Sequence, residues 1–145
     1  LERISKDDYY LQIAAAVSAR STCLRKHYGA VIVKNDRIVA TGYNGSPRGE
    51  ANCCDVGACY CRTHELPIDA AAAQHGAQYG SCVAVHAEQN ALINASAQDL
   101  QGATIYLAGY DVTRDCWIEV KVCNICDRMI RNAGITRVVG RTVVR

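Results

Sequence analysis

Nine of the 145 residues are cysteine, and their placement limits what the chain can become more than any other feature. Cys53, Cys54, Cys59 and Cys61 crowd into one short stretch, and Cys123 and Cys126 stand three apart in "KVCNICDRMI". In an oxidising compartment such a set reads as a disulfide framework, and in a reducing one as metal-binding or redox chemistry. Some cysteines also serve simply as small buried apolar residues. No apolar run approaches the ~18 residues of a membrane span. "LERISKDDYYLQIAAAV" begins polar and turns apolar, but Asp7 and Asp8 interrupt it, and an amphipathic helix explains it better than a targeting signal. The expectation is a cytoplasmic protein with no membrane partner, whose thiols have a use other than disulfides.

The length suits a single domain over residues 1–145. Hydrophobic residues make up 50% of the chain, enough for a packed core. A formal net charge of +2 gives no footprint for non-specific nucleic-acid binding, so nucleic acid is not the expected partner. Ser5 with Asp8 three residues on predicts a helix start, and Tyr10, Ile13, Ala14 and Val17 follow at helical spacing. "GAVIVKNDRIVATGYNG" predicts a hairpin turning at Asn35 and Asp36. Residues 48–66 show little periodicity and are expected to be a loop. "LPIDAAAAQHGAQYG" predicts a short helix, "HAEQNALINASAQ" another, "ATIYLAG" a buried strand, and "CWIEV" either its extension or a strand of its own. "CNICDRMIRNAG" predicts a helix stopped at Gly134, and "ITRVVG" a last strand. This α-β-β-α-β-α-β order predicts a mixed sheet with helices on its faces.

His86, Glu88, Cys123 and Cys126 give the cysteine pair a context. A redox pair needs no upstream histidine, and it belongs near a first βαβ unit, whereas this pair opens a late helix. Cysteines at i and i+3 share a helix face, and a helix N-terminus favours their thiolates. One imidazole and two thiolates leave a tetrahedral position open, the arrangement of a catalytic zinc. Such a zinc brings the pKa of a water it binds from ~15.7 to near 7. Glu88, two residues after His86, lies roughly 200° around a helix from it, so it is expected to move protons and not to bind the ion. The order H-x-E then P-C-x-x-C marks the zinc deaminases of nucleobases, and "HAE" with "VCNIC" matches it except that Val122 replaces the proline.

Beyond that motif, "RSTCLRKHYGAVIVKNDRIVATGYNGSPRGEANCCD", "HAEQNALINA" and "CNICDRMIRNAGITRVV" resemble the deoxycytidylate (dCMP) deaminases, including the bacterial late-competence type. The resemblance implies a three-layer α/β/α, cytidine deaminase-like fold with a mixed five-stranded sheet, and a homo-oligomer from dimer to hexamer. It implies zinc on His86, Cys123 and Cys126, with Glu88 as the proton shuttle. By the same resemblance, Ser21 and Arg25 fall at the 5′-phosphate and Asn44 near the bound nucleotide. It also implies a second, structural zinc, with Cys23 and Cys53 in matching positions. Ala84 stands where other members place an acidic ligand, so Cys59, Cys61, His64 and Cys82 are the local substitutes. The 36 residues between His86 and Cys123 exceed what compact members need, and the insert at 109–122 is expected to border the substrate pocket.

The expected reaction is hydrolytic deamination of a free pyrimidine nucleotide, dCMP to dUMP and ammonia. Its rivals are deamination of another free base or nucleoside such as cytosine, cytidine or guanine, deamination of a base within RNA or DNA, and a non-catalytic zinc-stabilised binding domain. Glu88 argues against the last, since a purely structural zinc has no use for it.

Overall fold

A computed structural model of the chain describes residues 1–59 and 82–141. The element order is α1 (Lys6–Ser18), β1 (Lys26–Lys34), β2 (Arg37–Tyr43), α2 (Cys53–Val56), α3 (Ala87–Asn94), α4 (Ala97–Leu100), β3 (Thr104–Asp111), β4 (Cys116–Ile118), α5 (Asn124–Asn132) and β5 (Arg137–Gly140). Local signals account for most of these boundaries. The Ser5 hydroxyl accepts from the Asp8 N–H at 3.0 Å and starts α1. Asn35 and Asp36 both adopt positive φ (51° and 59°), the backbone of a two-residue hairpin turn, and join β1 to β2. Gly134, at φ 88°, ends α5.

The strands form one mixed five-stranded sheet. β1 lies antiparallel between β2 and β3. The far side of β3 is shared, with β5 parallel along Thr104–Leu107 and β4 antiparallel along Gly109–Asp111. "CWIEV" is thus a strand of its own, folded back on β3. Alternation along β1 and β3 makes two apolar layers. Val31, Val33, Tyr106 and Ala108 face Tyr10 and Ala14 of α1. Ala30, Ile32, Ile105 and Leu107 face Ala87 and Ala91 of α3, Leu100 of α4 and Ile130 of α5. The three-layer α/β/α architecture follows. Among the described residues no helix is long and apolar enough to cross a membrane.

The expected helix over "HAEQNALINASAQ" is two helices. Ala95 is extended, and the Ser96 hydroxyl caps a new start by accepting from the Asp99 N–H at 3.1 Å. Serine competes for backbone donors in this way, which periodicity alone does not register. The expected loop at 48–66 contains the single turn of α2, and its last residues lie outside the described ones, as does the expected helix at "LPIDAAAAQHGAQYG".

Two glycines let helices reach the sheet. A Cβ at Gly29 would sit 2.1 Å from the Ala14 carbonyl oxygen of α1, and one at Gly42 would sit 2.3 Å from the Ala91 nitrogen and 2.4 Å from the Ala87 carbonyl oxygen of α3. Polar ties hold the start of α1: Lys6 and Tyr10 reach the Asp36 carboxylate at 2.6 and 2.7 Å, and Tyr106 and Arg137 reach Asp7 at 2.8 and 2.9 Å. On the opposite layer, Asn90 and Asn94 of α3 donate to the Tyr43 and Thr41 carbonyls of edge strand β2, at 2.8 and 2.9 Å.

Gly42→Ala is expected to push α3 off the sheet at a cost of about 3 kcal/mol, lowering the thermal midpoint by roughly 6–12 °C. A midpoint within a degree of the wild type would contradict the close approach. The Arg137 guanidinium, then the Tyr106 hydroxyl, hold Asp7 below its ordinary value of 3.8. The stabilisation they give is present above that value and is lost as pH falls through the lower folded one. The gap in thermal midpoint between wild type and Asp7→Asn should therefore be constant above about pH 4 and close below it.

Candidate functional site

Backbone stitches around "GYNG" set the floor of the site. Asn44, just past β2, turns its side chain onto β1, where Oδ1 accepts from the Tyr28 N–H at 2.8 Å and Nδ2 donates to the Lys26 carbonyl at 2.9 Å. The Thr22 N–H donates to the Asn44 carbonyl at 3.3 Å and brings the loop before β1 to the same point. Gly45 bridges Val85 in both directions, at 3.2 and 2.8 Å. Val85 precedes His86, so this turn fixes where His86 meets the cavity.

His86 is the N-cap of α3 and Cys123 the N-cap of α5, both with extended backbone. The His86 N–H donates to Gln89 Oε1 at 2.9 Å, and Cys123 Sγ accepts from the Cys126 N–H at 3.3 Å. His86 Nδ1 lies 3.3 Å from Cys126 Sγ and 3.7 Å from Cys123 Sγ. Among the described residues, His86, Cys123 and Cys126 are the set of three or more His, Cys, Asp or Glu side chains whose ligand atoms come together, all within 4.8 Å of one another. Two helix N-termini direct their positive ends here, which suits thiolates. A nitrogen and two sulfurs at this spacing are a donor set for zinc.

Glu88 lies on the second helical residue of α3, 7% exposed, on the wall of the cavity that His86 and Cys123 also line. It is outside the group of converging ligand atoms, and the helical angle invoked for that in the sequence does not apply. His86 stands one residue before the helix, so helical angles do not relate the two side chains. Burial raises the Glu88 carboxyl above its ordinary value, against the opposing pull of its own backbone N–H and of His86. Burial also pushes the Cys126 thiol up, and the charges of Glu88 and Cys123 add to this. A cation among these groups reverses that cost.

The rest of the wall comes from both sides of the sheet edge. Arg25 and Asn44 line it. Ser21 does not; its hydroxyl accepts from the Cys23 N–H at 3.3 Å. Its neighbour Thr22 does, and the Thr22 hydroxyl is buried with no hydrogen-bond partner among the described residues. Cys23, Cys53, Cys59 and Cys82 also line the cavity, but among the described residues they do not converge at ligand spacing. Cys61 and His64 lie outside the described residues. Lys26, Tyr28, Val120 and Lys121 also line it, the last two from the insert at 109–122 that was expected to border the pocket. Only the register of β1 on β3 identifies Tyr28, which lies opposite Gly109; a Cβ there would be 2.8 Å from the Tyr28 ring. Tyr110 and Trp117 of the insert are not on the wall. Their rings meet edge-on at 5.1 Å, and Arg141 covers the indole at 4.2 Å. Val122, in place of proline, packs against the core layer under α3 and α5.

Residues 4–142 match the family model of the cytidine and deoxycytidylate deaminase zinc-binding region. The chain is 41% identical to the deoxycytidylate deaminase of Mycobacterium phage D29, over 96% of each chain. It is 31% identical to that of Schizosaccharomyces pombe, over 97% of this chain and 38% of the yeast protein, so the chain spans well under half of that relative. Its fold superposes on the dCMP deaminase of cyanophage S-TIM5, solved in complex with dCMP and dUMP. The TM-score is 0.62 at 28% identity, covering 94% of this chain and 82% of the other.

Elemental analysis should find about one equivalent less zinc in Cys126→Ser than in the wild type, and no loss in Glu88→Gln. Equal zinc in wild type and Cys126→Ser would dismantle the metal-site reading.

Proposed function

The chain belongs to the cytidine and deoxycytidylate deaminase zinc-binding family, and from that premise we propose that it converts dCMP and water to dUMP and ammonia. The observation that carries this reading is the meeting of His86, Cys123 and Cys126 beside a buried Glu88 in one cavity. These three residues would hold a zinc ion and leave it one open position. When bound, zinc supplies the Lewis acidity that makes a water nucleophile available near neutral pH.

The remaining work falls to the chain's own side chains. Glu88 accepts a proton from the attacking water and gives it to the ring nitrogen N3. It then moves the second proton of that water to the amino group, which leaves as ammonia. No proton is left over, and the carboxylate returns to its starting state. Asn44 spends its side chain on β1 and serves the site by holding the Tyr28 and Lys26 backbone in place.

The charge of the wall supports a nucleotide over a nucleoside. Arg25, Lys26 and Lys121 line the cavity, and Glu88 is the one carboxylate on its described wall. A cavity so charged draws anionic substrates. Arg25 is the candidate phosphate contact; Ser21, off the wall, is held in that role by the family resemblance alone. A second, structural zinc would draw on Cys23, Cys53, Cys59, Cys61, His64 and Cys82; the nearness of four of them to one cavity supports it. A single domain, a homo-oligomer and a cytoplasmic setting complete the reading. Free thiols at the described cysteines accord with that setting. A domain with a purely structural zinc accounts less well for a carboxylate buried beside the metal-site residues.

Ammonia release by zinc-loaded protein from dCMP, CMP, deoxycytidine, cytosine, guanine and adenosine tests the reading. A preference for dCMP is expected, with turnover lowered about 10²–10⁴-fold in Glu88→Gln at unchanged zinc content. Release from none of these by the wild type would favour the non-catalytic domain.

A further inference from the structure

The 109–122 insert carries the aromatic residues most able to stack on a base, yet neither Tyr110 nor Trp117 is on the cavity wall. What the insert brings to the wall is Val120 and Lys121. Its hairpin is firmly built. The Asp111 carboxylate accepts from the Thr113 and Arg114 N–H groups, both at 3.0 Å, and pairs with the Arg114 guanidinium at 3.0 Å. β4 then pairs back on β3 through Gly109–Ile118, Tyr110–Trp117 and Asp111–Cys116. Past β4, Val120 drops into the notch left by Gly109, where a Cβ would come within 3.0 Å of a Val120 methyl. Val120 and Val122 both pack on the core, and Lys121 between them is exposed.

We infer that Lys121 is a specificity-determining residue for the nucleotide phosphate, and that the insert serves to deliver it. The inference rests on the dCMP reading above. Lys121 lies two residues before Cys123, so its Cα is within about 7 Å of that residue's. Among the described residues neither Lys121 nor Lys26 forms an ion pair, although four such pairs occur elsewhere in the fold. Arg25 and Lys26 reach the cavity from the start of β1 and Lys121 from the approach to α5, so its cations come from two separate elements. A phosphate monoester dianion is the chemistry that such an arrangement receives, and a neutral nucleoside gains nothing from it. Lysine acts here as a flexible point charge, suited to a group that arrives from solvent.

Lys121→Met removes the charge and keeps an apolar stem. It should raise KM for dCMP about tenfold, move KM for deoxycytidine less than about twofold, and leave zinc content and thermal midpoint as in the wild type. The rise of the dCMP KM with ionic strength should be shallower in this variant. Lys121→Arg should recover most of the preference, and Lys121→Glu should erode it further. An unchanged dCMP preference in Lys121→Met, or equal KM increases for both substrates, would overturn the inference while leaving the deaminase reading intact. A wild type that releases ammonia from neither substrate removes both.

Discussion

The site depends on how closely a helix backbone can lie on a strand. At Gly42 the missing side chain lets α3 rest its Ala87 and Ala91 backbone directly on β2. Van der Waals contact there sets the height of α3 above the sheet, and with it the positions of His86 and Glu88. Gly29 does the same for α1 on the other face. Interiors are packed like crystals, so a shift of one layer cannot be absorbed locally. The candidate site inherits its precision from these two absent methyl groups and from the stitches at Asn44 and Gly45.

The electrostatics follow from that placement. Two helices begin at the same point, each turning the N–H groups of its first turn toward it. Cys123 uses its sulfur to accept one of them, and Cys126 is carried one turn in, where it is buried. The same burial that would oppose charge on an isolated Cys126 or Glu88 makes a shared cation worth more there than in water. A cation held by His86, Cys123 and Cys126 would offset the cost of that burial. Farther along the wall stand Arg25 and Lys26, half-buried, and Lys121, exposed.

Features encoded within a few residues were legible in the sequence. The Ser5 cap, the Asn35–Asp36 turn and the Gly134 stop each act through neighbours in the chain, and each appears where its residues stand. The metal-site residues were legible for a related reason: their types and spacing announce their chemistry before their positions are known. The composition of the wall was not legible. Tyr28 and Val120 meet over Gly109 only because β1 pairs with β3 in one register, and no local pattern in "KHYGA" or "EVKVC" encodes that pairing. Ser21 and Thr22 are adjacent hydroxyl residues, and which of them faces the cavity is decided by the bond from Thr22 to Asn44. The break at Ala95 is not legible because apolar periodicity continues across it while the helical backbone does not.

The asparagines on α3 have a consequence for crowded solution. β2 is the outer strand on its side of the sheet, and an outer strand with open carbonyls invites another chain to add a strand. Asn90 and Asn94, one helical turn apart, occupy the carbonyls of Tyr43 and Thr41. An incoming strand would have to displace two side-chain amides before its ladder could start. The helix that carries Glu88 thereby also guards this border against runaway stacking of copies.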